Sequence, residues 1–106
     1  MGVDELALTA GALVCALCAD YPRRKQKIIE GGLSRRSENE LRYINSKMYD
    51  AAAETVGEEL AETYIKEIGE RIGYAYSAVT DISEVTYKIN KRKVKEAIAK
   101  KLYLTE

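Results

Sequence analysis

A single proline, Pro22, stands in a chain whose apolar residues otherwise recur at helical spacing, with few β-branched runs to compete. Proline lacks the backbone donor and crowds the carbonyl four residues back, so this position dictates a break. It also biases Asp20 and Tyr21 away from helical dihedrals, while Asp20 can cap a new helix with Pro22 in its first turn. Two helices are therefore expected here. The first is apolar and ends near Ala19. The second runs from Pro22 to Glu30, carries Arg23, Arg24, Lys25 and Lys27, is backed by Ile28 and Ile29, and stops at Gly31-Gly32.

Residues 6–19, LALTAGALVCALCA, are the most apolar stretch of the chain. Fourteen residues fall short of the roughly 20 that span a bilayer, so no membrane partner is expected. Asp4 and Glu5 are also the wrong sign for a signal-peptide leader. A helix apolar on nearly all sides is normally buried, which makes this one a central core helix or a dimer interface. Cys15 and Cys18 form a C-x-x-C within it. Zinc wants four ligands, and the chain offers two thiols and no histidine. Redox chemistry wants an electropositive, partly exposed site. Both cysteines read as small buried hydrophobes in a reducing, cytoplasmic setting, with no cofactor and no metal.

Ser37 and Glu40 have capping-box spacing and are expected to open the next helix, leaving Arg35 and Arg36 in the loop before it. Leu41, Ile44, Met48 and Val56 follow in helical register up to Gly57. A further helix over residues 58–72 places Leu60, Tyr64, Ile65, Ile68 and Ile72 on one face. Glu54, Glu58, Glu59 and Glu62 could suggest a carboxylate metal cluster. The di-metal bundle signature includes Glu-x-x-His, however, so a solvated helix surface is the better account. The absence of histidine also removes the commonest general base, and no nucleophile has an obvious partner; the chain is not expected to be an enzyme. Residues 1–106 show no linker and no repeat. The expected fold is all-α, a compact single-domain bundle of about five helices.

Acidic and basic residues balance at 17 each, so only a local asymmetry could attract nucleic acid. That asymmetry lies in residues 81–102, DISEVTYKINKRKVKEAIAKKL. Tyr87, Val94, Ile98 and Leu102 make one core-facing stripe, and Lys88, Arg92 and Lys95 an adjoining one with Lys91 at its border. Residues 83–103 hold seven basic side chains against two acidic ones, a local charge of +5. Val85 and Ile89 lie with Ile82 opposite the Tyr87 stripe, which suggests that the first half of this helix is wedged between layers.

The wording ISEVTYK, through Ile82, Ser83, Thr86, Tyr87 and Lys88, with Val94 and Ile98 as later core positions, resembles the recognition helix of sigma-factor region 4 and of the response-regulator helix-turn-helix. The terminal third is similar to small prophage-encoded proteins of Gram-positive bacteria, some of them transcription activators. The resemblance implies an irregular helix-turn-helix-like segment over 58–103 and DNA as partner. Ser83, Thr86 and Tyr87 would approach base edges, and Lys88, Lys91, Arg92 and Lys95 would touch phosphates. The chain departs from that family over residues 73–81, which leave room for barely more than one turn before the recognition helix. The alternative expectation is a non-enzymatic assembly protein that meets a helical partner or a second copy through an apolar face around Leu8, Leu13 and Leu17. A DNA binder needs the basic stripe exposed; an assembly protein needs that apolar face exposed.

Overall fold

A computed structural model describes the backbone of residues 3–102 and the side chains of residues 11–102. Its α-helices are α1 (Val3–Glu30), α2 (Arg35–Val56), α3 (Glu58–Gly69) and α4 (Glu84–Lys101), with one 3₁₀ turn, Tyr74–Tyr76, between α3 and α4. The all-α class is as expected. The helix count is four among the described residues instead of about five, because Pro22 lies inside α1 and does not divide it.

Helix continuity through Pro22 has a physical cause in the side chains around it. The proline leaves Cys18 O without its usual donor. Side chains add bonds to the carbonyls on either side of it: the Arg24 guanidinium donates to Leu17 O, and Asn45 Nδ2 of α2 donates to Tyr21 O at 3.2 Å. Arg24 Nε also donates to Asn45 Oδ1 at 2.6 Å, which closes the cluster. Gly69, at the end of α3, presses on the same turn. A Cβ there would stand 2.6 Å from Ala19 N and from the Cys18 carbonyl carbon, so only glycine lets the two backbones approach. Tertiary contacts thus override the local break. The 28-residue α1 is about 42 Å long and matches the 43 Å longest dimension of the molecule.

Two further boundaries differ from expectation. α2 starts one turn early, at Arg35, because Ser34 and not Ser37 is its cap: Ser34 Oγ accepts from Ser37 N at 3.1 Å. Arg35 and Arg36 therefore belong to the helix, and Glu40 pairs with Arg36 instead of capping. α3 ends at Gly69, three residues before Ile72. Arg71, at φ 57, turns the chain away, and Ile72 N donates back to Glu67 O at 2.9 Å. Between α2 and α3 a single residue, Gly57, suffices. Its φ of 91 is open to glycine alone, and its N–H closes α2 on Ala53 O.

α2 packs mainly against α3 and α4, and α1 lies across α3 and α2. The core is Met48, Ala51 and Ala52 of α2, Ala61, Tyr64, Ile65 and Ile68 of α3, Val94 and Ile98 of α4, and Val14 and Cys18 of α1. Alanines on α2 and α3 let the larger side chains of α1 and α4 settle close to those helices. The shortest dimension, 21 Å, is about two helix diameters, so the helices lie no more than two deep. No helix among the described residues is long and apolar enough to cross a membrane.

Candidate functional site

The basic helix is fixed at both ends. Ser83 caps α4, its Oγ accepting from Thr86 N at 3.1 Å, and Leu102 N bonds back to Ile98 O at 3.0 Å. Tyr87, Val94, Ile98 and Ala99 are buried. Helical spacing then puts Val85, Ile89 and Glu96 on the side opposite Tyr87, Val94 and Ile98, with Lys88 and Arg92 along one flank and Lys93 and Lys100 along the other. All of these are exposed, Val85 at 68% and Ile89 at 36%. The start of α4 is therefore not wedged between layers: Val85 and Ile89 form an open apolar rib between two basic rows. The wedge was expected because the helix is apolar on two sides, but only the Tyr87 side meets the core.

The residues expected to touch DNA separate into three groups. Thr86, Lys88 and Arg92 are exposed on α4. The long contacts Lys88–Glu84 and Arg92–Glu96, both 3.9 Å between exposed side chains, hold little energy and leave these cations free for another anion. Lys91 and Lys95 are turned toward the body of the protein. Lys91 Nζ donates to Ile72 O at 2.7 Å and lies 5.3 Å from the centre of the Tyr87 ring, and its removal from water lowers its pKa. Lys95 is half-buried and near enough to Cys18 to lower the pKa of that thiol.

The third group is structural. Ser83 is spent as the cap. Tyr87 is 1% exposed and cannot reach a base edge, which corrects the expectation drawn from the sigma-factor resemblance. Its hydroxyl donates to Glu67 Oε1 at 2.6 Å, and burial followed by the Glu67 hydrogen bond pushes its pKa up to about 12. The ring is needed inside because it stacks on Tyr64, with centroids 5.7 Å apart. Lys93, which the motif did not single out, takes its place on the outer face. The signal was available in the sequence, since counting around the helix from Tyr87 puts Lys93 outside and Lys91 inside.

Glu67 organises the chain that leads into α4. It is 2% exposed. Oε1 accepts from Ser77 Oγ at 2.6 Å as well as from Tyr87, and Oε2 accepts from Ala78 N at 2.7 Å. Burial by itself raises its pKa, but the Ser77 and Tyr87 hydroxyls, the Ala78 N–H and the charge on Lys91 together hold it below the ordinary carboxylate value. This arrangement fixes residues 70–83, fourteen residues where a helix-turn-helix hairpin uses about 3–4, so the docking geometry of that motif does not carry over.

Other charged places are already neutralised. A groove of 520 Å³ between α1 and α2 includes Tyr21, Lys25, Asn45, Tyr49 and Glu62. There Glu62 accepts from both Lys25, at 2.8 Å, and Tyr21, at 2.9 Å. Glu54 pairs with Lys101 at 3.1 Å, which separates it from the other carboxylates of the suggested cluster. Among the described residues no three acidic or thiol side chains converge as metal ligands. The basic segment after Pro22 is likewise divided, with Arg24 buried and Arg23 paired to Asp20 at 3.3 Å.

Cys18 is buried and its thiol is pushed up to about 12, by burial first and then by its neighbour Cys15, so the thiolate is suppressed. Leu13 is 46% exposed and Leu17 half-buried, while the side chain of Leu8, the third residue of the expected assembly face, lies outside the described residues. No protein-family model matches the chain, and neither a curated protein nor a solved structure is significantly similar to it.

Proposed function

We propose that the chain is a small DNA-binding regulator of the prophage type and that it meets DNA with the outer face of α4. The observation that carries this is the Val85–Ile89 rib flanked by Lys88 and Arg92 on one side and by Lys93 and Lys100 on the other. An α-helix fits the major groove of B-DNA. Basic residues along both flanks suit the phosphate rows on either side, and a central apolar rib suits the methyl edge of thymine. Thr86, outward on the first turn, is placed for a base or sugar hydroxyl contact. Lys91 and Lys95 support the helix from behind and raise the local potential without touching phosphate. The reading does not depend on a helix-turn-helix hairpin, only on the helix and its exposure.

Titration of labelled duplex DNA at several salt concentrations tests it. Four phosphate contacts give a log–log slope of about −3.6, with non-specific affinity of about 10⁻⁴–10⁻⁶ M. Arg92→Ala with Lys93→Ala flattens the slope by about two units. A folded protein that shows no binding at low salt ends this reading.

A second reading, self-assembly along α1, is favoured by exposed Leu13 with exposed Ala12 and Ala16 beside it. Sedimentation across a range of concentrations decides it: Leu13→Asp lowers the average mass if α1 is the interface and leaves it unchanged otherwise.

A further inference from the structure

The link between α3 and α4 carries the most exposed large hydrophobic side chain among the described residues. Tyr76 is 88% exposed, which leaves both faces of its ring open. The backbone that carries it is held firmly. Tyr76 N donates to Gly73 O at 3.1 Å and Ser77 N to Tyr74 O at 3.2 Å. Immediately beyond, the Ser77 hydroxyl and the Ala78 N–H are both bound to the buried Glu67 carboxylate. Immediately before, the Tyr74 hydroxyl donates to Ile82 O at 2.7 Å, and its ring lies 5.7 Å from that of Tyr87 on α4. Tyr76 is two residues from that contact, so its Cα is within about 7 Å of the Tyr74 Cα. The turn that carries it packs against α4.

The ring buries no apolar surface of its own fold, and the turn beneath it is already ordered, so its capture of a flat ligand costs little conformational entropy. What is adjacent sets the class of ligand. Of the two basic rows of α4, the one formed by Lys88 and Arg92 borders Lys91, whose Nζ donates to Ile72 O of the link. A positively charged track beside an open aromatic ring is the arrangement that binds single-stranded nucleic acid, with the track following phosphates and the ring stacking on a base. A base inside an intact duplex has both faces covered and cannot stack on such a ring. A protein partner would be served by the ring and the rib but would leave the cations unanswered. Asp81 and Glu84 are exposed at the start of α4, so the strand runs from the ring toward Lys88 and Arg92 and away from residues 81–84.

We propose that Tyr76 stacks on an unpaired base, so that the DNA held by α4 has single-stranded character at the edge of the site. This rests on the DNA-binding reading of α4 and adds the state of the nucleic acid. The test compares three labelled oligonucleotides, a blunt duplex, the same duplex with a single-stranded tail, and the single strand alone, against wild type, Tyr76→Ala, Tyr76→Phe and the Arg92→Ala/Lys93→Ala pair. Wild type binds the tailed duplex and the single strand more tightly than the blunt duplex. Tyr76→Ala weakens binding to those two by about 5- to 150-fold and leaves the blunt duplex unchanged. Tyr76→Phe keeps wild-type binding, because stacking needs the ring and not the hydroxyl. The paired α4 substitutions weaken all three.

Equal binding of blunt and tailed duplex with no effect of Tyr76→Ala overturns the stacking and leaves α4 as a duplex-binding helix. Binding to the single strand alone sustains the stacking and overturns the duplex reading. Failure to bind any of the three ends both. Self-association that disappears in Tyr76→Ala makes the ring an interface between copies and overturns the proposal.

Discussion

Arg24 and Glu67 are both buried, and neither has an opposite charge at ion-pair distance among the described residues. Each is answered by neutral dipoles. Arg24 donates to a backbone carbonyl of its own helix, to the Asn45 side chain and to the Met48 sulfur. Glu67 accepts two hydroxyls and a backbone N–H. The difference lies in what the partners would be without them. The partners of Arg24 sit on α1 and α2, which are helical in any case, so the guanidinium ties two existing helices together. Two of the three partners of Glu67 belong to residues 77 and 78, which form no helix or sheet. One charge joins existing structure; the other supplies structure where there is none.

Removal of Glu67 should therefore have the larger effect. Glu67→Ala takes away the shared acceptor of Ser77 Oγ, Ala78 N–H and the Tyr87 hydroxyl, which keeps only its longer bond to Ile72 O at 3.3 Å. The loss of three hydrogen bonds to a charged group, about 3–5 kcal/mol, would appear as a lower urea midpoint. A loss under about 1 kcal/mol would mean that the link holds itself and the contrast with Arg24 is false. Acid sharpens the same point. The folded pKa of Glu67 is depressed, so its contribution is complete above the unfolded value and is lost as pH falls through the folded one. Glu67→Gln should make the urea midpoint less sensitive to pH below the ordinary carboxylate value of 4.5. Glu62 is also depressed, chiefly by its hydrogen bond from Lys25, but it is exposed, so Glu62→Gln should flatten the acid limb less.

Arg24→Met comes next, at about 1–3 kcal/mol, because methionine fills the stem but leaves the buried Asn45 Oδ1 without its donor. Pro22→Ala restores a donor to Cys18 O, which Arg24 does not touch, so a double-mutant cycle should find the two changes additive. Coupling above about 0.5 kcal/mol would show that the guanidinium supports the proline turn. Ser83→Ala is smaller still, about 1 kcal/mol for the lost cap, and should match Ser34→Ala on α2, since both serines accept from the N–H three residues on at 3.1 Å.

These features differ in how far they could be read from the residues. The α2, α3 and α4 stripes were legible because apolar residues recur every three or four positions, Ile44 and Met48, Ile65 and Ile68, Val94 and Ile98, and all of these but the half-buried Ile44 are buried. The course of α1 was not. Local chemistry at Pro22 argues for two helices, and the groups that oppose it, Arg24, Asn45 and Gly69, lie up to 47 residues further on. At α4, periodicity located the helix and its charge, yet the resemblance assigned Tyr87 outward while the stripe assigned it inward. The stripe was right because a ring that size buries more surface than any exposed position allows. Glu67 gave no signal at all: it is one glutamate among many on an acidic helix, and only the return of the chain at Ser77 and Ala78 sets it apart.

The carboxylate beneath the α3–α4 link also has a consequence in time. An amide exchanges its hydrogen with water when its bond opens, and loop amides usually open long before helices do. Ala78 N–H is bonded to a buried carboxylate that Ser77 and the core residue Tyr87 also hold. Its exchange should therefore be slower than that of an unbonded loop amide, and faster in Glu67→Ala than in wild type. The chain entering α4 would thus carry a slow amide in a segment without helical structure.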